Sequence, residues 1–173
     1  MTRPDWDTYF MRLAYLAATR ATCSRKHVGA VIVDTYHRVV STGYNGAPAG
    51  MPSCDEVDHE LVEGHCVRTL HAESNAIDFA GRAALGCTLY ATVTPCYDCA
   101  KRAVNSGIHR IVWDEFYQSR YEKSANVADF LRGAGLEVWQ MPEGYMRPFR
   151  DALAGLETSG PVQLVPPGIA VVR

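Results

Sequence analysis

Two short segments, His71-Ala72-Glu73 and Pro95-Cys96-Tyr97-Asp98-Cys99, constrain this chain more than anything else in it. One imidazole nitrogen and two sulfurs make three ligands of the kind zinc prefers, and a zinc site that keeps its fourth position for water is a catalytic one. For all three to serve one ion, the fold must bring the segment that starts at 71 to the segment that starts at 96. The Cys-x-x-Cys spacing at the opening of a helix lets both sulfurs aim at one point. The helix N-terminus, with its free N–H groups and its dipole, favours thiolate over thiol. Pro95 suits such an entry because its missing N–H costs nothing there. Glu73 lies too close to His71 to share the ion comfortably, yet near enough to take a proton from water beside it, so its expected role is proton shuttle. A lone Cys-x-x-Cys is more often redox-active or structural, and a lone His-Ala-Glu is usually a chance helix. The two together, in this order and each at a helix start, point to catalysis.

Composition narrows the setting. The chain has 173 residues, 47% of them hydrophobic and 21% charged, which is the balance of one soluble domain with a real core. Seventeen Lys and Arg stand against 19 acids, a net charge of -2 that gives no sequence-wide pull toward nucleic acid or an anionic membrane. The opening MTRPDWDTYFMRLA has no apolar run of signal-peptide length, and no stretch approaches the roughly 18 apolar residues of a membrane span. The cytoplasm is the expected compartment. There, cysteines at 23, 54, 66, 87, 96 and 99 among histidines read as metal ligands before disulfides. Cys87 has no partner in sight and reads as a small buried hydrophobe.

Periodicity predicts a helix over 5–21, a hairpin of strands over 28–33 and 39–42, and a long polar loop over 47–64, rich in Gly, Pro and acids. A helix over 71–82, a strand over 88–92, a helix over 97–106 and a strand over 110–113 follow. A helix over 124–132 and a last strand over 136–140 complete the order. Strands joined through helices pair in parallel with right-handed crossovers, so helices should cover both faces of a mixed sheet. The expected division is a domain over 1–141 and an extension over 142–173. The extension carries five of the nine prolines and reads as a peripheral arm packed on or between subunits.

The order HxE followed by PCxxC is the signature of zinc-dependent nucleobase deaminases. With HAESNAI, TPCYDCAK, SRKHVGAVIV and STGYNGAPAG in place, the chain over about 12–140 resembles the deoxycytidylate deaminases, which convert dCMP to dUMP. The zinc motifs are shared by the whole cytidine deaminase superfamily. GYNG and the CVRTLHAESNAI context narrow the resemblance. It implies a three-layer α-β-α fold of the cytidine-deaminase type with a five-stranded mixed sheet. It also implies a catalytic zinc, a homo-oligomer, often a hexamer, and allosteric control by dCTP and dTTP with Mg²⁺. By residue, it implies that His71, Cys96 and Cys99 hold zinc, that Glu73 moves protons, and that Asn45 contacts the sugar. Tyr117 is implied to touch substrate, and backbone at Ala72, Val93 and Thr94 to meet the pyrimidine edge. Asn45 has a rival reading as a plain Asn-Gly turn, and Tyr117 as a residue capping the core. Arg25 and Lys26 are candidates for a 5′-phosphate, with a solvated charged turn as the alternative.

Cys23, Cys54, His59 and Cys66 remain, three of them crowded into CDEVDHELVEGHC. Four ligands close a structural zinc site, which would order a segment too polar to fold by burial. The resemblance implies a second zinc here as well. His65 could replace His59, but its adjacency to Cys66 makes joint ligation awkward. His27, His37 and His109 group with nothing. Three functions compete: deamination of a small nucleotide, which could be dCMP, dCTP or a 5-substituted dCMP; deamination of tRNA or another nucleic acid, which the acidic balance argues against; and a zinc-stabilised interaction module, which would have no use for Glu73.

Overall fold

The computed structural model describes residues 3–117 and 126–155. Helix α1 (Trp6–Ala18) starts at Asp5, whose carboxylate accepts the Thr8 N–H at 2.7 Å, and it buries Phe10, Met11, Ala14 and Tyr15. Strand β1 (Gly29–Val33) is buried on both faces, and β2 (Val39–Tyr44) runs back beside it. The turn between them is drawn tight by Asp34, whose carboxylate accepts the N–H groups of Tyr36 and Arg38 at 2.9 and 2.8 Å.

The segment read as a loop over 47–64 contains a four-residue helix, α2 (Cys54–Val57), and most of a small hairpin, β3 (Leu61–Val62) with β4 (His65–Cys66). Elements this short carry no measurable period. Helix α3 (Ala72–Ala80) follows and tightens into a 3₁₀ turn over Gly81–Ala84. Then come β5 (Thr88–Val93), α4 (Tyr97–Asn105) and β6 (Arg110–Glu115). Helix α5 (Val127–Gly133) starts behind Asn126, while residues 124 and 125 of the expected helix lie outside the described residues. Strand β7 (Glu137–Gln140) is followed by a helix that the sequence did not announce, α6 (Arg147–Ala154).

The five-stranded sheet has the order β2-β1-β5-β6-β7. Pairing is antiparallel through β2, β1 and β5 and parallel through β5, β6 and β7. On one face α1 packs with Phe149 and Leu153 of α6 against Val31, Val33, Tyr90 and Val112. On the other face α3, α4 and α5 pack against Ala30, Ile32, Leu89 and Ile111. This is the expected three-layer α-β-α arrangement with helices on both faces.

Two glycines set how closely the layers approach. A Cβ at Gly29 would stand 1.9 Å from the Ala14 carbonyl oxygen, and one at Gly43 would stand 2.1 Å from that of Ala72. Gly43 therefore lets the first turn of α3 lie directly on β2, which puts His71 beside the sheet edge. Among the described residues no helix is long and apolar enough to cross a membrane.

Candidate metal and active site

His71 is the N-cap of α3 and Cys96 the N-cap of α4, with Cys99 in the first turn of α4. The inner sides of these helices, Ala72, Ala76, Ala100 and Ala103, are buried in one core cluster, so the two N-termini are held rigidly toward each other. The His71 Nδ1 lies 3.4 Å from both the Cys96 and the Cys99 Sγ, and the three ligand atoms fall within 4.8 Å of one another. Tetrahedral zinc, with bonds of about 2.3 Å to sulfur and about 2.0 Å to nitrogen, places its ligand atoms about 3.6–3.8 Å apart. The donor set and its spacing fit that ion.

Glu73 sits in the first turn of α3 and is 3% exposed. It lines a pocket with His71, Ala72, Cys96, Asn45 and Thr94. Charge in this pocket follows from hydrogen bonding and burial. A hydrogen bond from the Cys99 thiol holds Cys96 down at about 4, against burial and with help from His71. His71 is held up at about 9, first by its bond to Cys96, with burial opposing and the Glu73 charge assisting. Burial pushes the Glu73 carboxyl up to about 7 while the His71 charge pulls the other way. Cys99 is raised, first by its bond to Cys96 and then by burial. Three groups that can become anionic thus surround one imidazole, an imbalance that a divalent cation would neutralise.

Asn45 is buried at the pocket, but its amide is already employed. Its Oδ1 accepts the Val28 N–H at 2.8 Å and its Nδ2 donates to the Lys26 carbonyl at 2.9 Å. One amide hydrogen is left for a ligand. Next to it, Gly46 and Leu70 exchange two backbone hydrogen bonds, 3.2 and 2.9 Å, and Asn75 Nδ2 donates to the Tyr44 carbonyl at 2.8 Å. The 43–46 segment is therefore clamped to the entry of α3. Val93, Thr94, Arg25, Lys26 and Tyr117 also line the pocket, and Tyr117 stands with its ring 5.0 Å from the Lys26 ammonium.

The second cluster also assembles. Ligand atoms of Cys23, Cys54, His59 and Cys66 lie within 4.8 Å of one another, with 3.5 Å between the Cys54 and Cys66 sulfurs and 3.7 Å from Cys23 Sγ to His59 Nδ1. The set is closed, as a structural tetrahedral site requires. Burial, then hydrogen bonds with Cys66 and Cys23, push the Cys54 thiol up to about 12. For Cys66 burial works in the same upward direction, but the Arg68 N–H and the Cys54 and His59 side chains outweigh it and leave it at about 7. His65 is not in this set; it lines the pocket beside Glu73 instead, as do Cys23 and Cys66, so the two clusters share a wall. Cys87 is buried and its thiol donates to the Ala83 carbonyl at 3.1 Å.

Motif spacing gave no sign of Thr69 or Glu115, and it offered His65 only as an alternative metal ligand, not as part of this pocket. His65 and Thr69 sit among residues without period, and Glu115 is an ordinary strand-end acid whose bond to Lys26, 3.0 Å, exists only in the folded chain.

Fold and site together define an α/β domain of the zinc-binding deaminase class, with a histidine and two cysteines that could hold a metal at two helix N-termini, beside a buried carboxylate. Residues 4–115 match the family model of the cytidine and deoxycytidylate deaminase zinc-binding region, and the chain belongs to that family. It is 45% identical over 126 residues to the deoxycytidylate deaminase of a Mycobacterium phage, covering 65% of this chain and 97% of that one. It is 41% identical over 150 residues to the deoxycytidylate deaminase of Saccharomyces cerevisiae, covering 81% of this chain but 46% of the yeast protein, so it spans under half of that relative's length. Among solved structures, that of dCMP deaminase from the cyanophage S-TIM5 in complex with dCMP and dUMP superposes with a TM-score of 0.66. The two are 28% identical, over 82% of this chain and 100% of that one.

Proposed function

We propose that this chain catalyses the hydrolytic deamination of dCMP to dUMP and ammonia. The observation that carries the reading is the convergence of His71, Cys96 and Cys99 over a Glu73 that is 3% exposed, in a pocket bounded by Asn45. The relatives named for this activity support dCMP as the substrate.

His71, Cys96 and Cys99 would hold zinc, which supplies Lewis acidity and brings the pKa of water near 7. Glu73 takes a proton from the attacking water and gives it to the pyrimidine N3, then moves the second proton to the leaving amine. The C4–N bond breaks, a C4–O bond replaces it, and ammonia leaves. Burial suits Glu73 to this task, because a carboxyl out of water can hold a proton and release it without a large change in energy. The free Asn45 amide hydrogen is available to the sugar, the backbone at Ala72, Val93 and Thr94 to the pyrimidine edge, and Arg25 and Lys26 to the 5′-phosphate, with Tyr117 at the rim.

Cys23, Cys54, His59 and Cys66 would hold a second, structural zinc that orders residues 47–70. The catalytic unit is residues 1–141, with 142–173 as an extension whose helix α6 packs on α1 of the same chain and whose residues 156–173 lie outside the described residues, in a homohexamer in the cytoplasm. We further propose activation by dCTP and inhibition by dTTP with Mg²⁺. Sigmoidal dCMP kinetics that become hyperbolic with dCTP would support regulation, and curves unmoved by either nucleotide would refute it.

The experiment is ammonia release by zinc-loaded protein from dCMP, CMP, dCTP, deoxycytidine and 5-methyl-dCMP. Preference for dCMP is the expected result. Preference for dCTP or 5-methyl-dCMP would move the assignment within the class. No release from any of the five, at several dCTP and Mg²⁺ concentrations, would end it.

A further inference from the structure

We infer that Arg150, on the last helix, is a positioning residue for the substrate pocket, acting on Lys26 through Glu115 and so favouring nucleotides over nucleosides. The inference rests on the proposed deamination of dCMP.

Glu115 ends β6 and receives a cation on each carboxylate oxygen. Lys26 Nζ reaches Oε2 at 3.0 Å, and Arg150 Nη1 reaches Oε1. Arg150 comes from α6 and its guanidinium lies over the Tyr15 ring, 5.6 Å from its centre. The Tyr15 hydroxyl in turn donates to Asp114 at 2.5 Å, so the other acid nearby is buried and has its own partner. Lys26 is fixed at its backbone by Asn45 and stands against Tyr117, and all three line the pocket. The Glu115 backbone belongs to the same frame: its carbonyl accepts the Thr94 N–H at 2.9 Å and the Thr94 hydroxyl at 3.2 Å.

Two cations on one carboxylate leave one positive charge over. With Arg150 in place, Glu115 is matched from the α6 side, and Lys26 can turn to an anionic group in the pocket while Glu115 stays paired. Without Arg150, Lys26 is the remaining cation on Glu115, and drawing it to a ligand leaves a half-buried carboxylate unpaired. The cost falls on ligands that need the ammonium, which are those with a phosphate. The base and sugar are read by other groups. No feature of α6 announces this role in the sequence, because Arg150 meets Glu115 only through the packing of α6 on α1.

The test uses the full-length, zinc-loaded chain and compares dCMP with deoxycytidine for the wild type, Arg150→Met, Arg150→Lys, Glu115→Gln and the double variant Arg150→Met with Glu115→Gln. Loss of one charge-assisted bond predicts a KM for dCMP raised about 10-fold in Arg150→Met, with kcat little changed and the KM for deoxycytidine unmoved. Arg150→Lys should restore most of the difference. In the Glu115→Gln background, Arg150→Met should add no further loss. Equal losses on both substrates, or additive losses in the double variant, would overturn the inference and leave Arg150 a structural residue. If the wild type deaminates neither substrate, the proposed function fails separately, and calorimetric dCMP affinity then decides: a loss of about 10-fold in Arg150→Met that vanishes beside Glu115→Gln sustains the inference, and equal affinities refute it.

Discussion

The two cysteine–histidine clusters use the same residue types for different physical ends. In the first, the ligands are placed by the fold: His71 and Cys96 cap helices whose inner faces are buried against the sheet. In the second, the ligands place the fold. Across residues 47–70 Cys54 alone is buried, so burial holds that segment weakly, and the cluster ties it to Cys23 in the stretch after α1. A site that exists before its ion can keep one position open and do chemistry. One that the ion assembles is closed and serves as a cross-link.

Substituting the first cluster should abolish function and spare the fold. His71→Ala is expected to lose one zinc per chain and all measurable ammonia release, with a melting temperature close to that of the wild type. Elemental analysis beside calorimetry checks it, and a large fall in Tm would erase the contrast. Next in size is Glu73→Gln, which should lower kcat by about 10³- to 10⁴-fold with metal content unchanged, because the variant keeps the ligands and loses the proton carrier. Zinc loss in that variant would make Glu73 part of the ligand set.

Cys54→Ser tests the other side of the comparison. It should remove the proposed second zinc, cost about 2–4 kcal/mol by denaturant unfolding and raise amide exchange across 47–70, since metal binding there would supply folding energy. Because Cys23, His65 and Cys66 also line the pocket, KM should rise more than kcat falls. Unchanged exchange in that segment would mean that it folds without its ligands. The smallest effect belongs to Cys87→Ala, a cysteine outside both clusters. It should leave both zincs in place and cost about 1 kcal/mol from lost packing. A change in metal content would reveal a ligand role that its burial beside Ala83 gives no reason to expect.

Much of the site was legible in advance because its signals are local. A His-x-Glu at a helix start, a Cys-x-x-Cys turn and a proline entry are read over a few positions, and they located α3 and α4 to within a residue or two. The hairpin of β1 and β2 was legible for the same reason, as β-branched runs around a polar turn. Helix α2 and the β3–β4 hairpin were not, since four- and two-residue elements hold no period. Helix α6 was hidden in a proline-rich tail, and it forms behind Pro148 at its start, where that residue is compatible with a helix. Asn45 was expected to face the sugar. Its amide also carries the backbone of residues 26–28, a use that no residue near it in sequence reveals.

By itself the sequence determined which atoms could bind metal, which carboxylate stood beside them, and that helices alternate with strands. These depend on identity and short-range spacing, which the covalent chain carries. The tertiary structure decided the strand order, the close approach of α3 to β2 over Gly43, the shared wall between the two clusters, and the meeting of Arg150 of α6, Glu115 of β6 and Lys26 of the loop before β1. Those are contacts between residues far apart along the chain, and they come into being only when burial of the apolar faces forces distant segments together.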